Sequence, residues 1–124
     1  MIDNVLVRGA PSSGKTTYAK THFPNHIIIQ ADQFFMIGDD YVYDHGKISA
    51  AHDWCLWRCK NAKRPFVVCN TFSRYWEMKP YLLVWPNIKI LRMTGEYQNV
   101  HGVPDDKVAA IRRRMEPILG ETFI

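Results

Sequence analysis

The chain has 124 residues, 47% of them hydrophobic, and 16 Lys plus Arg against 12 Asp plus Glu give a net charge of +4. That length suits one domain, residues 1–124, with a single core that needs no metal or disulfide to hold it. The longest apolar runs, Val5 to Val7, Ile27 to Ile29 and Phe66 to Cys69, fall far short of the roughly 20 residues of a membrane-spanning helix, so no membrane partner is expected. Met1-Ile2-Asp3-Asn4 carries neither a secretory nor a basic transit pattern, and a cytoplasmic location is expected. The three cysteines, Cys55, Cys59 and Cys69, read as free thiols in that setting. The cationic surplus favours anionic partners without naming one.

Ile2 to Val7 has the pattern of a strand, followed by a glycine-bearing loop and by Lys15-Thr16-Thr17-Tyr18-Ala19-Lys20, which can turn as a helix. Ile27-Ile28-Ile29 is a short β-branched run that predicts a second buried strand, with Asp32 just past its end. From Lys47 to Lys60, apolar Ile48, Ala51, Cys55 and Cys59 recur at helical spacing. Phe66 to Cys69 predicts a third strand ending at Asn70-Thr71, Trp76 to Val84 a helix despite Pro80, and Ile88 to Met93 a fourth strand. Pro104 to Glu116 closes the series as a helix with Pro at its first position, acids in its first turn and Arg112, Arg113 and Arg114 in its last turns. Strands alternating with helices imply parallel βαβ units, hence a three-layer α/β fold around a parallel sheet of about four or five strands.

Gly9-Ala10-Pro11-Ser12-Ser13-Gly14-Lys15-Thr16 satisfies G-x-x-x-x-G-K-[ST] and sits between a strand and a helix, the context the pattern needs. Its glycines let successive backbone N–H groups face phosphate oxygens, and the helix N-terminus favours the anion. Gly9 to Thr17 therefore form the expected triphosphate site, with Lys15 reaching the β and γ phosphates and the Thr16 hydroxyl offered to Mg²⁺. Switching and mechanical work use the same loop, so the reaction has to be read elsewhere.

Phosphoryl transfer to a hydroxyl needs a carboxylate that faces the γ-phosphate, and Asp32 stands at a strand end where ligands bind in such sheets. A turn or capping aspartate is the competing reading. The aromatics Phe34, Phe35, Tyr41, Tyr43, Phe72, Tyr75 and Trp76, with Arg74 among them, suit either core packing or the stacking of bases, Arg74 and Lys79 then contacting phosphates. His52, Cys55 and Cys59 share one helical side, as metal ligands or as a packed face.

Taken together, the Gly9 to Thr17 loop, Ala31-Asp32-Gln33-Phe34-Phe35, Ala51-His52-Asp53-Trp54-Cys55, Asn70-Thr71-Phe72, Trp76-Glu77-Met78-Lys79-Pro80-Tyr81 and His101-Gly102-Val103-Pro104 make the chain resemble the polynucleotide-kinase-like branch of P-loop kinases. Small proteins of this kind occur in bacteriophages. The resemblance implies ATP and Mg²⁺ as cofactors and the 5′-hydroxyl of DNA or RNA as acceptor, with a hydroxymethylated base in phage DNA or a small metabolite as the alternative. It implies Asp32 as general base, Asn70 and Thr71 as acceptor-side polar residues, and Arg112 and Arg113 as lid cations on the moving phosphoryl group, while Phe35 and Arg74 are acceptor contacts on the base-stacking reading of the aromatics. Cys69 stands where related kinases often carry an aspartate, and Gln33 and Phe35 replace an aspartate and an arginine found in some of them. A nucleotide-gated nucleic-acid-binding module is the non-enzymatic alternative. His101 to Pro104 would act as a hinge for the lid or as a static connection.

Overall fold

In chain order, β1 (Val5–Arg8) leads to α1 (Lys15–His22), β2 (Ile27–Ile29), a 3-10 turn (Ala31–Phe35), β3 (Met36–Ile37), β4 (Asp40–Tyr41) and a second 3-10 turn (His45–Lys47). Then come α2 (Ile48–Lys60), β5 (Phe66–Asn70), α3 (Tyr75–Val84), β6 (Lys89–Arg92), α4 (Asp105–Arg114) and β7 (Thr122–Phe123). This computed structural model describes residues 3–97 and 102–124. Ile2 and His101, which belong to the expected first strand and to the hinge, lie outside the described residues.

Five strands form one parallel sheet in the order β2-β5-β1-β6-β7. Leu6 of β1 registers with Val68 of β5 and Ile90 of β6, and all three face a core built with Ala51, Cys55 and Cys59 of α2 and Met78 and Tyr81 of α3. Their neighbours Val5, Val7, Val67, Cys69 and Leu91 face the opposite way, onto Ala19 of α1 and Phe23. A period of two along strands covered on both sides is the physical reason these segments read as continuous apolar runs.

One expectation, at Pro104, needed correction, whereas the helix expected despite Pro80 is present. Pro104 sits before α4 with ψ at 139°, as its cap rather than its first helical residue. Pro80 lies inside α3, where it removes one backbone donor, yet the helix continues because Met78 and Tyr81 are buried on either side of it. Elements with no sequence expectation are the β3–β4 hairpin and β7, each strand two residues long.

Candidate active site

Strand ends decide where the polar groups go. Beyond β1 the chain turns through Ser12 at φ 63° and Gly14 at φ 93°, left-handed positions that wrap the loop before α1 begins at Lys15. The buried hydroxyls of Ser12 and Ser13 have no hydrogen-bond partner within the protein. Unsatisfied polar atoms in a loop of this shape fit the oxygens of a bound phosphate chain.

Lys15 Nζ is folded back on the carbonyls of Gly9 and Ala10, at 2.8 and 2.9 Å. Burial pushes its ammonium down to about 8, with the charge of Asp32 working the other way. A phosphate within reach would restore the charged form, since an adjacent anion favours it.

Thr16 Oγ1 accepts a hydrogen bond from Gln30 Nε2 at 2.6 Å. That contact ties the phosphate loop to the end of β2. Mg²⁺ takes few protein ligands and keeps waters and substrate phosphates, so a single hydroxyl oxygen here suits it, and Thr16 would hold the ion. Cys69 does not join it: burial raises that thiol to about 12, so it stays protonated.

Asp32 is in the 3-10 turn after β2, and it is exposed. The cap of that turn is Gln30, whose N–H donates to Gln33 Oε1 at 3.2 Å, while Gln33 Nε2 donates to Ile28 O at 3.0 Å. The Asp32 carboxylate is thus free of a capping role, and its Oδ1 accepts from the Tyr41 hydroxyl at 3.4 Å. Lys15, Thr16, Asp32, Asn70, Thr71, Tyr41, Tyr43 and His52 all line one cleft of about 1260 Å³. A single small ligand usually occupies roughly 300–1,000 Å³, so there is room for a nucleotide and a second molecule.

The structure assigns other residues differently from the sequence expectations. Asn70 lines the cleft, but its Oδ1 accepts from the Ala31 N–H at 2.9 Å and its Nδ2 meets Cys55 Sγ at 3.4 Å. It fixes the turn that carries Asp32 instead of presenting free polar atoms to an acceptor. Phe35 is buried, 5% exposed, beneath Tyr41 and Tyr43. Arg74 precedes α3 on the exterior and is not on the cleft wall. Arg112 forms an ion pair with Glu96 at 3.1 Å, and neither it nor Arg113 lines the cleft in this conformation. Cys55 and Cys59 are buried in the core, whereas His52 is on the cleft wall.

Sequence reasoning missed three contributors. Gln30 holds Thr16. Gly95 packs so closely on the phosphate loop that a Cβ there would come within 2.7 Å of Ser13 O. Tyr97 donates its backbone N–H to Ser12 O at 3.0 Å and lays its ring against Gly14. A G-x-Y triplet shortly after a strand end is a faint signal of such a contact, with nothing in it to identify the loop it meets.

Two solved structures share this fold. A gluconokinase from Sinorhizobium meliloti 1021 superposes with a TM-score of 0.64 at 13% identity, over 98% of this chain and 81% of that one. A sugar kinase from Janibacter sp. HTCC2649 superposes at 0.69 and 16% identity, over 100% and 84%. The fold is therefore that of the P-loop kinases. In sequence, human NEDD4-binding protein 2 is 32% identical over an alignment of 124 residues that takes in 84% of this chain. This chain spans 7% of the length of that relative. No family model matches the chain. Among the described residues no helix is long and apolar enough to cross a membrane.

Proposed function

We propose that this protein transfers the γ-phosphoryl group of ATP to a hydroxyl group. The observation that carries the reading is the placement of Asp32 on the wall of the same cleft as the phosphate loop, with its carboxylate not used as a cap. A carboxylate at that place can orient a nucleophile against the γ-phosphate, and the room beside it in the cleft suits an acceptor larger than water.

In this reading the backbone N–H groups of Ser12 to Thr17 and the ammonium of Lys15 hold the phosphates in line with the acceptor. Lys15 leaves the carbonyls of Gly9 and Ala10 to do so. Asp32 orients the acceptor hydroxyl and takes its proton as the new P–O bond forms and the bond to ADP breaks. Mg²⁺, held at Thr16, supplies neutralisation of charge on the phosphate oxygens. Arg112 exchanges Glu96 for those oxygens when α4 closes, and Arg113 is the neighbouring cation; the planar guanidinium keeps its charge throughout.

The first reading of the acceptor is the 5′-hydroxyl of DNA or RNA, supported by the net positive charge and by the half-exposed Tyr41 and Tyr43 in the cleft. The second is a small hydroxylated metabolite, with a hydroxymethylated base in phage DNA beside it. On the comparisons alone the small molecule is the better supported, because both kinase structures above are named for sugars or sugar acids. A cytoplasmic site of action accords with either.

Incubation with γ-labelled ATP, Mg²⁺ and a panel of 5′-hydroxyl DNA, 5′-hydroxyl RNA, hydroxymethylated DNA, gluconate and simple sugars tests the proposal. Label appearing on one acceptor class supports it and selects the acceptor. Release of labelled phosphate at the same rate whichever acceptor is present would replace it with a nucleotide-gated binding module.

A further inference from the structure

Tyr41 and Tyr43 stand two residues apart where β4 leads toward α2. Their ring planes lie 19° from parallel with centroids 6.5 Å apart. Phe35 closes the space below them, 6.1 Å from Tyr41 at 73° and 5.1 Å from Tyr43 at 54°. The segment is held in place by the Val42 N–H donating to Phe35 O at 2.8 Å. Phe35 is packed into the core, whereas 53% of Tyr41 and 51% of Tyr43 is exposed. The result is a slot with two aromatic walls and an aromatic floor, opening into the cleft that also holds Asp32 and His52.

The spacing selects what enters. Carbon atoms in contact sit about 3.5 Å apart, so a planar ring between two walls needs about 7 Å, and the two rings, with centroids 6.5 Å apart, part by at least about half an ångström to admit one. A tetrahedral ammonium or a puckered sugar is thicker than one layer of sp² atoms and requires a larger displacement of the walls. Charge selects further. Asp39, Asp40 and Asp44 flank the two tyrosines, and no Lys or Arg occurs from Phe34 to Gly46. Phosphate groups gain nothing at this entrance, whereas an uncharged heteroaromatic ring stacks on both walls.

Resting on the phosphoryl-transfer reading, we propose that the acceptor inserts a nucleobase between Tyr41 and Tyr43. Its hydroxyl is thereby brought to Asp32, whose Oδ1 is 3.4 Å from the Tyr41 hydroxyl. The minimal acceptor is then an uncharged nucleoside, and any phosphodiester chain leads away from the hairpin. The same ring chemistry comes from a free nucleoside or from the terminal residue of a nucleic acid.

The test compares thymidine, a 5′-hydroxyl oligonucleotide, the same oligonucleotide with an abasic terminal residue, and gluconate, on the full chain and on Tyr43→Ala and Tyr43→Phe. Base stacking on one aromatic side chain changes binding roughly tenfold. The acceptors bearing a base should therefore show a KM about tenfold higher in Tyr43→Ala, with kcat held within about threefold, and Tyr43→Phe should return KM toward the parental value. The abasic and gluconate arms should not respond. Thymidine ahead of the oligonucleotide identifies the free nucleoside as the source of the ring, and the reverse order identifies the nucleic-acid end. Thymidine binding without ATP, followed by tyrosine fluorescence, is measured in parallel. Equal use of abasic and base-bearing ends, or equal thymidine binding by the parent protein and Tyr43→Ala, overturns the slot. Transfer to no acceptor, together with Tyr43-dependent thymidine binding, removes the kinase reading and leaves the slot standing.

Discussion

Arg8 Nη1 lies 2.6 Å from Glu121 Oε1, with both side chains almost wholly buried, and so the end of the central strand is joined to the segment just before β7. The remaining nitrogens of Arg8 donate to Phe72 O at 3.0 and 2.8 Å and to Ser73 O at 3.3 Å. Phe72 has φ 45°, a left-handed conformation that a bulky residue adopts at a cost of about 1–3 kcal/mol. The Arg8 guanidinium holds the loop after Asn70 in that shape. Burial lowers its pKa, and Glu121 offsets part of that.

Removing one partner of such a buried pair leaves an uncompensated charge and costs about 3–5 kcal/mol. Glu121→Gln is expected to lower stability by that amount, measured as the urea midpoint at constant m-value. The double replacement Arg8→Met, Glu121→Met should be less unstable than the sum of the singles, and a double-mutant cycle measures the difference. Additive losses would mean that the two side chains act separately.

Gly95→Ala should weaken ATP binding with little else to blame. Its Cβ would meet Ser13 O at 2.7 Å and Tyr97 Cε2 at 2.5 Å, and the first of these is backbone of the phosphate loop. Overpacking of about 1–3 kcal/mol translates to roughly 5- to 150-fold in affinity. Removing the ring as well, in Gly95→Ala with Tyr97→Ala, leaves the clash with Ser13 O and should not restore binding. Isothermal titration of the two variants checks this.

Lys15 gives a pH dependence with a definite sign. Its folded value, about 8, is below the ordinary 10.5. Below pH 8 the folded and unfolded chains both carry the proton, and the folded one bears the desolvation. Between about 8 and 10.5 only the unfolded chain keeps it, so the stability of the nucleotide-free protein gains a contribution that rises with pH across that window. Denaturant midpoints at pH 7.5 and 9.5 should show this contribution as the difference between the parent protein and Lys15→Met, which lacks it. ATP binding should move the opposite way and weaken above about pH 8, because the triphosphate needs the ammonium.

The parts of this molecule that were legible in the sequence are those built by neighbours along the chain. The phosphate loop declares itself through glycine spacing between a strand and a helix, and Asp32 through its position after Ile27 to Ile29. Arg8 was not legible. It follows Val7 like any loop cation, and its partner is 113 positions away, with no local pattern to mark it. Asn70 was expected as an acceptor contact on the family resemblance; the Ala31 N–H and Cys55, both brought by folding, engage it in the structure. The β3–β4 hairpin and β7 have two-residue strands, too short for alternation to register. The aromatic slot therefore emerged only from geometry, although each of its rings was noted as a candidate for stacking.

The central claim is that Asp32 activates an acceptor hydroxyl opposite the phosphate loop. Asp32→Asn keeps the shape of the side chain and removes the base, so the direct measurement is single-turnover transfer from γ-labelled ATP to the selected acceptor, alongside ATP affinity, in the parent protein and Asp32→Asn. A general base contributes roughly 10²–10⁴ in rate. The expected result is a fall in transfer of that size with ATP affinity held within about threefold. Transfer by Asp32→Asn at the parental rate would contradict the assignment.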